Sequence, residues 1–454
     1  MTKAATHPIG PVSAPGVLQR LFMPADNSQL IVFRMLFGFL LTYHCISQIT
    51  NGTVYSIFIE PPFTFNFIGF DFLQPLPGNG MYYYFGLMAL LGVLIMTGAW
   101  YRIAMTGFAV LWTILYLMQK SNYNNHYYLI LLLSWIMALL PAHLDASADV
   151  QRNRGMRSSV CPQWIPWLFI FQMAIIYFFA AIHKFSPDWL SGKFIDIRFS
   201  KLSLHPHLGF IYSNHLFQQF VCYSGILFDL LIVPMLIWKK TRTIAIIASV
   251  FFHLFNSFTF QIGIFPYLSL ALLLFFIDPE KIRRFVLRKE RIPVNPFNPP
   301  EQRKKRLILS LLFIYCLVQV LLPMRSWLFP GNVLWTEEGY RMSWRMMLRT
   351  KKGTVYFTVK DPRSGKIWKV EPAKIFQPVH MMWLSGSPDI IWQYARRIKK
   401  DFIHKGYPDV EIYAIGTVSM NRRPAKPLIN PSADLAKKTW EPFKHSEWVL
   451  LYDE

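Results

Sequence analysis

Charged residues are scarce in this chain: they make up 16% of its 454 residues, against about 25% in ordinary soluble domains. Hydrophobic residues account for 53%, and several apolar runs approach the roughly 20 residues that cross a bilayer as a helix. An ordinary soluble domain is therefore excluded, and the sequence predicts an α-helical multi-span membrane protein with about nine transmembrane helices. The candidate spans lie near residues 30–49, 81–99, 103–119, 127–142, 164–183, 217–238, 243–261, 263–277 and 306–323.

Cysteine and metal-binding motifs are also scarce. The four cysteines are Cys45, Cys161, Cys222 and Cys316, so the region after residue 316 can form no internal disulfide. The chain has no CxxC, no HExxH and no Cys/His cluster, so we expect no metal site. It shows neither an internal repeat nor a phosphate-binding glycine loop. The first 25 residues are polar and proline-rich, so we expect an uncleaved first span rather than a signal peptide.

The positive charge of the loops predicts the orientation. A formal net charge of +22 would suggest nucleic acid in a soluble protein, but here it indicates topology and contact with anionic lipid, with no nucleic-acid partner. Residues 280–306 hold ten Lys and Arg, so we place them in the cytoplasm together with the tail 1–29. Residues 184–216 then lie outside, although they carry Lys184, Lys193, Arg198 and Lys201. This departure marks 184–216 as a candidate functional region.

The last third of the chain has a different pattern. Residues 30–323 form the predicted transmembrane domain, and residues 324–454 a small extracytoplasmic α+β domain. Strand alternation on both sides of DPRSG predicts a hairpin at 353–372. Residues 387–406 read as a helix that Ser387 caps, and residues 410–421 read as a strand.

Ionisable residues near the spans are the candidates for chemistry, because burying them in apolar surroundings is costly. Lys184 ends the fifth span, and it could be an interfacial lysine whose amine reaches water. It could instead be a desolvated neutral amine that accepts a proton. Asp188 is four residues further on, but Pro187 breaks the helix between them, so we expect no simple ion pair. The other candidates are Arg34, His44, His126, His183, Asp229 and His253.

Several of these side chains have structural alternatives. His126 lies in a polar outer turn, at the predicted membrane level of Lys184. His253 and Asn256 share a helix face and could simply join helices by hydrogen bonds. Arg34 and Asp229 are expected to be structural or interfacial. Trp335, Tyr340 and Trp344 could belong to the interfacial aromatic belt or to a substrate surface. The pattern suits a lipid-soluble cofactor and a hydrophilic substrate, and it does not name the reaction.

Longer stretches of the chain resemble one family, the vitamin K-dependent γ-glutamyl carboxylases, whose membrane part is also called the HTTM domain. The similarity covers most of the chain from residue 30 onward, in family order. The stretches are VFRMLFGFL (32–40), NNHYYL (124–129), YFFAAIHKFSPDWLSG (177–192), FFHLFNSFTFQIGIFPYLSLA (251–271), NVLWTEEGYRMSWRMM (332–347) and KTWEPFKHSEWV (438–449).

The resemblance implies a reaction. In the family, a lysine deprotonates reduced vitamin K (the hydroquinone of phylloquinone or menaquinone) and O2 is consumed. The oxygenated cofactor then removes a γ-proton from a glutamate side chain of a protein substrate. CO2 adds to give γ-carboxyglutamate, and the cofactor leaves as its epoxide. No metal takes part. Residues 30–323 would be the catalytic HTTM-like domain and residues 324–454 the substrate-side domain.

The resemblance also implies residue roles. Lys184 matches the catalytic lysine and His126 the active-site histidine. Asn125, His253, Asn256 and Phe265 would bind the quinone. Trp335, Tyr340, Ser343, Trp344 and Arg349 would handle the glutamyl substrate, although Arg349 replaces the histidine of animal members.

The chain also departs from the animal pattern. His183 replaces a second lysine, which could change the environment of Lys184. The resemblance does not extend to the extra C-terminal β region of animal members, so propeptide recognition stays an open question. The Lys/Arg pattern suits a bacterial homologue with a periplasmic outer domain. Two alternatives stay open: a quinol epoxidase or oxygenase without carboxylation, and a non-enzymatic quinone-binding or scaffold protein in which Lys184 is an anchor.

Overall fold

The computed structural model describes residues 16–288 and 300–452. Each of the nine apolar runs forms a helix, because a helix satisfies its backbone polar groups internally where no water can do so. The first fifteen residues of the predicted tail and residues 289–299 of the basic segment lie outside the described residues. The helices are α1 (Ser28–Thr50), α2 (Gly80–Thr97), α3 (Tyr101–Met118), α4 (Asn125–Leu139), α5 (Trp164–Lys184), α6 (His215–Ile237), α7 (Arg242–Phe260), α8 (Phe265–Leu272) and α9 (Gln302–Met324).

Seven of these helices are long and apolar enough to cross a membrane within the described chain. The two shorter ones are α4, with 15 residues, and α8, which a 3-10 turn extends over Leu273–Phe276. At 1.5 Å per residue, α4 is about 22 Å long, which is less than a hydrocarbon core of about 30 Å. The prediction of a multi-span membrane protein is confirmed, and α4 and α8 are its short helices.

Small residues bring the first two helices together. A Cβ atom on Gly38 of α1 would lie 2.8 Å from the carbonyl oxygen of Gly92 in α2. Close backbone approach through small residues is a common way for membrane helices to associate, since lipid offers no hydrophobic driving force between them. Either glycine changed to alanine would force α1 and α2 apart.

Short helices fill the connections. Three of them lie between α5 and α6, in the region that departs from the charge rule. The short helices are Val17–Arg20, Ala148–Arg152, Pro187–Leu190, Lys193–Phe199, Gly209–Tyr212, Pro279–Lys281 and Val333–Thr336. Two short strands, β1 (Pro24–Asp26) before α1 and β2 (Val160–Pro162) before α5, pair with each other in antiparallel orientation.

Part of the predicted cytoplasmic basic segment is buried rather than solvated. Arg283 is 3% exposed. Its guanidinium lies 2.6 Å from a carboxylate oxygen of Asp26 and 2.9 Å from one of Asp145. A charge buried this deeply needs such partners. Arg283 therefore joins three segments: its own after α8, the one before α1 that contains Asp26, and the one between α4 and α5 that contains Asp145.

The C-terminal region is an α+β unit, as the sequence predicts. Strands β3 (Lys351–Lys360), β4 (Ile367–Val370) and β5 (Glu411–Met420) form an antiparallel sheet in the order β4-β3-β5. Phe357 pairs with Val370 and Lys360 with Ile367, so the DPRSG turn closes the predicted hairpin. Helices α10 (Pro378–Gly386) and α11 (Pro388–His404) pack against the sheet.

The predicted cap of α11 is wrong in one detail. Ser387 occupies the capping position, but its side chain makes no capping hydrogen bond. Its hydroxyl donates instead to a carboxylate oxygen of Glu337, 3.0 Å away.

Buried ion pairs join the C-terminal region to the membrane helices. We call them the junction network. Lys120, in the turn between α3 and α4, lies 2.6 Å from Asp389 at the start of α11. Arg341 lies 2.8 Å from the same carboxylate. Glu337 lies 3.0 Å from both Arg349 and Lys351. The network connects the loop before α4, the segment after α9 and the sheet domain.

The junction network predicts acid sensitivity. Burial alone would raise the pKa of Asp389, but Arg341 and Lys120 outweigh it and hold that pKa well below the usual range. Burial alone would also raise the pKa of Glu337, but Arg349 and Lys351 outweigh it and lower that pKa. Folding therefore releases protons from both carboxyl groups, and their stabilisation is complete above about pH 5. We expect thermal stability to fall as pH drops below about 4, and to fall less steeply in Asp389→Asn. Identical pH profiles for the two proteins would contradict this role.

Candidate active site

A cavity of about 730 Å³ lies among α5, α6, α7, the start of α4 and the segment after α9. That segment, residues 339–349, contains Arg341, Arg345 and Arg349, and we call it the arginine loop. Six of the eleven residues predicted for the site line this cavity, although they are far apart in the sequence. They are Asn125, His126, Lys184, Asn256, Phe265 and Tyr340.

Lys184 is a buried basic side chain in the wall of the cavity. It is 7% exposed, and its amine donates to a carboxylate oxygen of Asp229 at 2.6 Å. The same nitrogen lies 5.0 Å from the centre of the Trp189 ring. This placement does not fit a lysine whose amine reaches into water at the membrane edge, because water is replaced by one carboxylate and an aromatic face.

Asp229 is a candidate whose place in the site the sequence did not predict. We expected it to be structural or interfacial, but it lines the cavity and pairs with Lys184. An acidic residue inside an apolar span is a signal for function, and the missing information was the partner. Asp188 is not that partner, as expected. It accepts hydrogen bonds from Asn421 at 2.8 Å and from Arg423 at 3.1 Å.

His126 and Asn125 lie at the first turn of α4. His126 lines the cavity beside Gly263, where a Cβ atom would lie 3.6 Å from the histidine Nε2. The Asn125 side chain donates to the backbone oxygen of Arg345 at 2.8 Å. Asn125 therefore fixes the arginine loop above the cavity, in addition to the quinone contact that the family resemblance implies.

The predicted quinone residues lie on α7 and α8. Asn256 and Phe265 line the cavity. His253 is 1% exposed and lies one layer behind, with its Nε2 2.8 Å from the Tyr177 hydroxyl. Tyr177 itself lines the cavity, so His253 can act there by orienting that hydroxyl.

Three of the predicted substrate residues are completely buried. Trp335, Ser343 and Trp344 are each 0% exposed. The Trp335 indole donates to the backbone oxygen of Leu450 at 2.8 Å, and the Ser343 hydroxyl donates to that of Tyr340 at 2.5 Å. None of the three lines the cavity; Ser343 bonds within the arginine loop, Trp344 packs against α4 and Trp335 against the end of the C-terminal domain.

Arg349 and His183 support the same loop. Arg349 pairs with Glu337 and lies over the Tyr340 ring, with 4.3 Å from the guanidinium carbon to the ring centre. His183 Nε2 lies 3.0 Å from the backbone oxygen of Ser343. The side chain that replaces a family lysine thus reaches the arginine loop.

The cavity walls suit a flat, apolar ligand. Phe220 on α6 and Phe251 on α7 both line the cavity. They are also 66% and 73% exposed on the outer surface of the helix bundle, which faces lipid in a membrane protein. A cavity of this size lies within the range of cofactor sites, about 300–1,000 Å³. Its aromatic walls and few polar groups fit a quinone that comes from the membrane.

Metal ligands do not cluster in the parts of the chain that the structure describes. No group of three or more His, Cys, Asp or Glu side chains could hold an ion there. The four cysteines are free thiols, and Cys45, Cys161 and Cys222 are buried.

Two family models match the chain, one in each part of it. The family model of the HTTM domain matches residues 22–280, which is more than half of the chain. The model of the vitamin K-dependent gamma-carboxylase lumenal domain matches residues 304–454. The chain belongs to the vitamin K-dependent gamma-carboxylase family. No solved structure matches it significantly.

Family membership explains the composition of the cavity. Vitamin K-dependent gamma-carboxylases act on glutamate-containing proteins with a membrane quinone as cofactor. The two matched regions meet at this cavity: Lys184 and His126 come from the first, and Tyr340 and Arg345 from the second. A lipid-facing wall and a wall from the lumenal-type domain therefore enclose one space.

Proposed function

We propose that this protein carries out vitamin K-dependent γ-carboxylation of protein glutamate residues, using O2 and CO2 and coupled to quinol epoxidation. One observation carries the proposal. A buried lysine amine, 2.6 Å from a carboxylate, faces a cavity that is bounded by both family regions and by outward-facing aromatic side chains.

In this proposal Lys184 is the base that takes a proton from the hydroquinone. To do so the amine must be neutral, and Asp229 can accept its proton across the 2.6 Å hydrogen bond. A neutral pair avoids the cost of two charges in a water-poor cavity. Asp229 thus prepares Lys184, and Trp189 closes the space beneath the amine.

The remaining residues of the cavity would bind the quinone and keep water out. The reduced quinone, when bound, supplies with O2 the strong base that the γ C–H of glutamate requires. Asn256 and Phe265 would hold it, with the Tyr177 hydroxyl oriented by His253. His126 lines the same cavity, and its imidazole would offer the bound quinone a hydrogen-bonding group. The aromatic walls keep water from quenching reactive species.

The loop charges and the family membership support one orientation. We propose that the tail 1–29 is cytoplasmic and that residues 324–454 lie on the extracytoplasmic side, the periplasm if the protein is bacterial. The glutamate substrate would then approach the arginine loop from outside, and the quinone would come from the bilayer.

One observation favours a second candidate, a quinol epoxidase without carboxylation. Trp335, Ser343 and Trp344, which match the glutamate-handling stretch, are fully buried. The test is one incubation of the purified protein with reduced vitamin K, labelled bicarbonate and a glutamate-containing peptide. We expect both incorporated CO2 and quinone epoxide. Epoxide alone would replace our proposal with the second candidate, and neither product would indicate a binding or scaffold protein.

Asp229→Asn keeps the size of the side chain and removes the proton acceptor. We expect kcat to fall by about 100-fold, within the usual range for acid–base groups, with little change in the KM for the quinol. Asp196→Asn is the control, because Asp196 forms a half-exposed pair with Arg422 in the short helix Lys193–Phe199 and does not line the cavity. Asp229→Glu should recover part of the rate. A folded Asp229→Asn variant with unchanged kcat would exclude this role.

A further inference from the structure

The arginine loop carries three arginines at every fourth position, and their partners differ. Arg341 lies 2.8 Å from Asp389, and Arg349 lies 3.0 Å from Glu337. Arg345, between them, forms no ion pair with any described carboxylate. Two of the three guanidinium groups are therefore neutralised within the protein, and the third is not.

Arg345 is also the one of the three that lines the cavity. It is partly buried, and its Nη2 donates to the Ser326 hydroxyl at 3.0 Å. Its Nε is buried with no hydrogen-bond partner. Burial lowers the pKa of Arg345 to about 10, so the side chain stays positively charged at neutral pH. A buried charged donor without an acceptor is costly unless a ligand supplies one.

The charge balance of the cavity points the same way. Its described lining holds three basic side chains, Lys184, Arg198 and Arg345, and one acidic side chain, Asp229. Lys184 already pairs with Asp229, and Arg198 is exposed to solvent. Among the described residues that line the cavity, Arg345 is therefore the one partly buried cation that no carboxylate neutralises.

The backbone holds Arg345 in place at a cost. Met342, Trp344 and Met347 have φ values of +63°, +57° and +55°, in the left-handed region that L side chains rarely adopt. The Tyr123 hydroxyl accepts from Met342 N at 2.6 Å, and Asn125 donates to Arg345 O. Strained backbone that its surroundings hold this firmly is typical of binding sites.

We propose that Arg345 is the receptor for the side-chain carboxylate of the glutamyl substrate inside the cavity. This assignment rests on the proposed function and adds the group that recognises the substrate. Guanidinium–carboxylate pairing gives both strength and orientation. It also places positive charge beside the γ-carbon, where removal of a proton adds negative charge. A glutamine side chain offers no charge to Arg345, so glutamate is selected over glutamine.

The test is peptide binding, which needs no turnover. Full-length protein in lipid nanodiscs is titrated with a fluorescent glutamate peptide and with the same peptide carrying glutamine. We expect the wild type to bind the glutamate peptide at least about 10-fold more tightly. Arg345→Gln should lose that preference with unchanged affinity for the glutamine peptide, and Arg345→Lys should be intermediate. Arg363→Gln, at an exposed pair with Asp409, is the matched control.

Other outcomes separate this proposal from the proposed function. Quinone binding that is equal in wild type and Arg345→Gln would show that the variant cavity is folded. With that control met, a retained glutamate preference in Arg345→Gln would overturn the role of Arg345, even if carboxylation itself is observed. Competition by bicarbonate as effective as that by the peptide would also overturn it, since the site would then serve a smaller anion. Selective glutamate binding without carboxylation would uphold the role and refute the proposed reaction.

Discussion

Lys184→Ala is expected to abolish both CO2 incorporation and epoxide formation. The variant removes the amine that is 2.6 Å from Asp229 and leaves the aromatic walls of the cavity intact. Proton-transfer groups contribute about 10²–10⁴-fold, and here every later step depends on the first proton transfer. We therefore expect at least about a 1,000-fold loss. The measurement is the rate of each product with saturating quinol.

Two controls make the result specific. Lys184→Ala leaves the buried Asp229 carboxyl without its hydrogen-bond partner, which is destabilising, so the double variant Lys184→Ala with Asp229→Ala removes both members of the pair. Both variants should be inactive, and the double variant should be the more stable. Lys193→Ala, in the neighbouring short helix, should keep its activity. Retained epoxide formation in a folded Lys184→Ala variant would place the base elsewhere.

Asp389→Asn is expected to lower the free energy of unfolding by about 3–5 kcal/mol, the usual cost of breaking a buried ion pair from one side. The substitution leaves Lys120, which is 1% exposed, and Arg341 without their shared carboxylate. It should also loosen the arginine loop, because Arg341 belongs to that loop. Denaturation of the protein in detergent micelles measures the change.

Asp409→Asn is the matched control for the junction network. Asp409 also pairs with an arginine, Arg363, but their side chains are 52% and 72% exposed. Exposed pairs contribute no more than about 1 kcal/mol, so this variant should be close to wild type. An Asp389→Asn variant as stable as Asp409→Asn would mean that the network does not hold the two regions together.

Features that depend on local sequence were predictable. Apolar run length located all nine helices, and alternation around DPRSG located the β3–β4 hairpin. Lys184 stood out because 184–216 departs from the charge rule. These signals come from requirements that each segment meets by itself: backbone polar groups must be hydrogen-bonded inside a bilayer, and apolar side chains must follow the period of the helix or strand.

Features that depend on tertiary contacts were not predictable. Asp229 is 45 residues from Lys184, and only the packing of α6 against α5 brings the two together. The left-handed residues of the arginine loop carry no glycine signal at 342, 344 and 347. Arg345 was not predicted either, because the sequence shows three similar arginines at 341, 345 and 349. What distinguishes it is the carboxylate partners that the folded chain gives to Arg341 and Arg349.

The central claim is that glutamate chemistry depends on quinol chemistry started by Lys184 in one cavity. Mass spectrometry of a peptide with a deuterated glutamate γ-carbon tests it most directly. With reduced vitamin K, O2 and CO2, the wild type should replace one γ-deuterium by a carboxyl group, and neither Lys184→Ala nor a sample without quinol should do so. Carboxylation that persists without quinol or without Lys184, or a wild type that leaves the γ-carbon unchanged, would contradict the account.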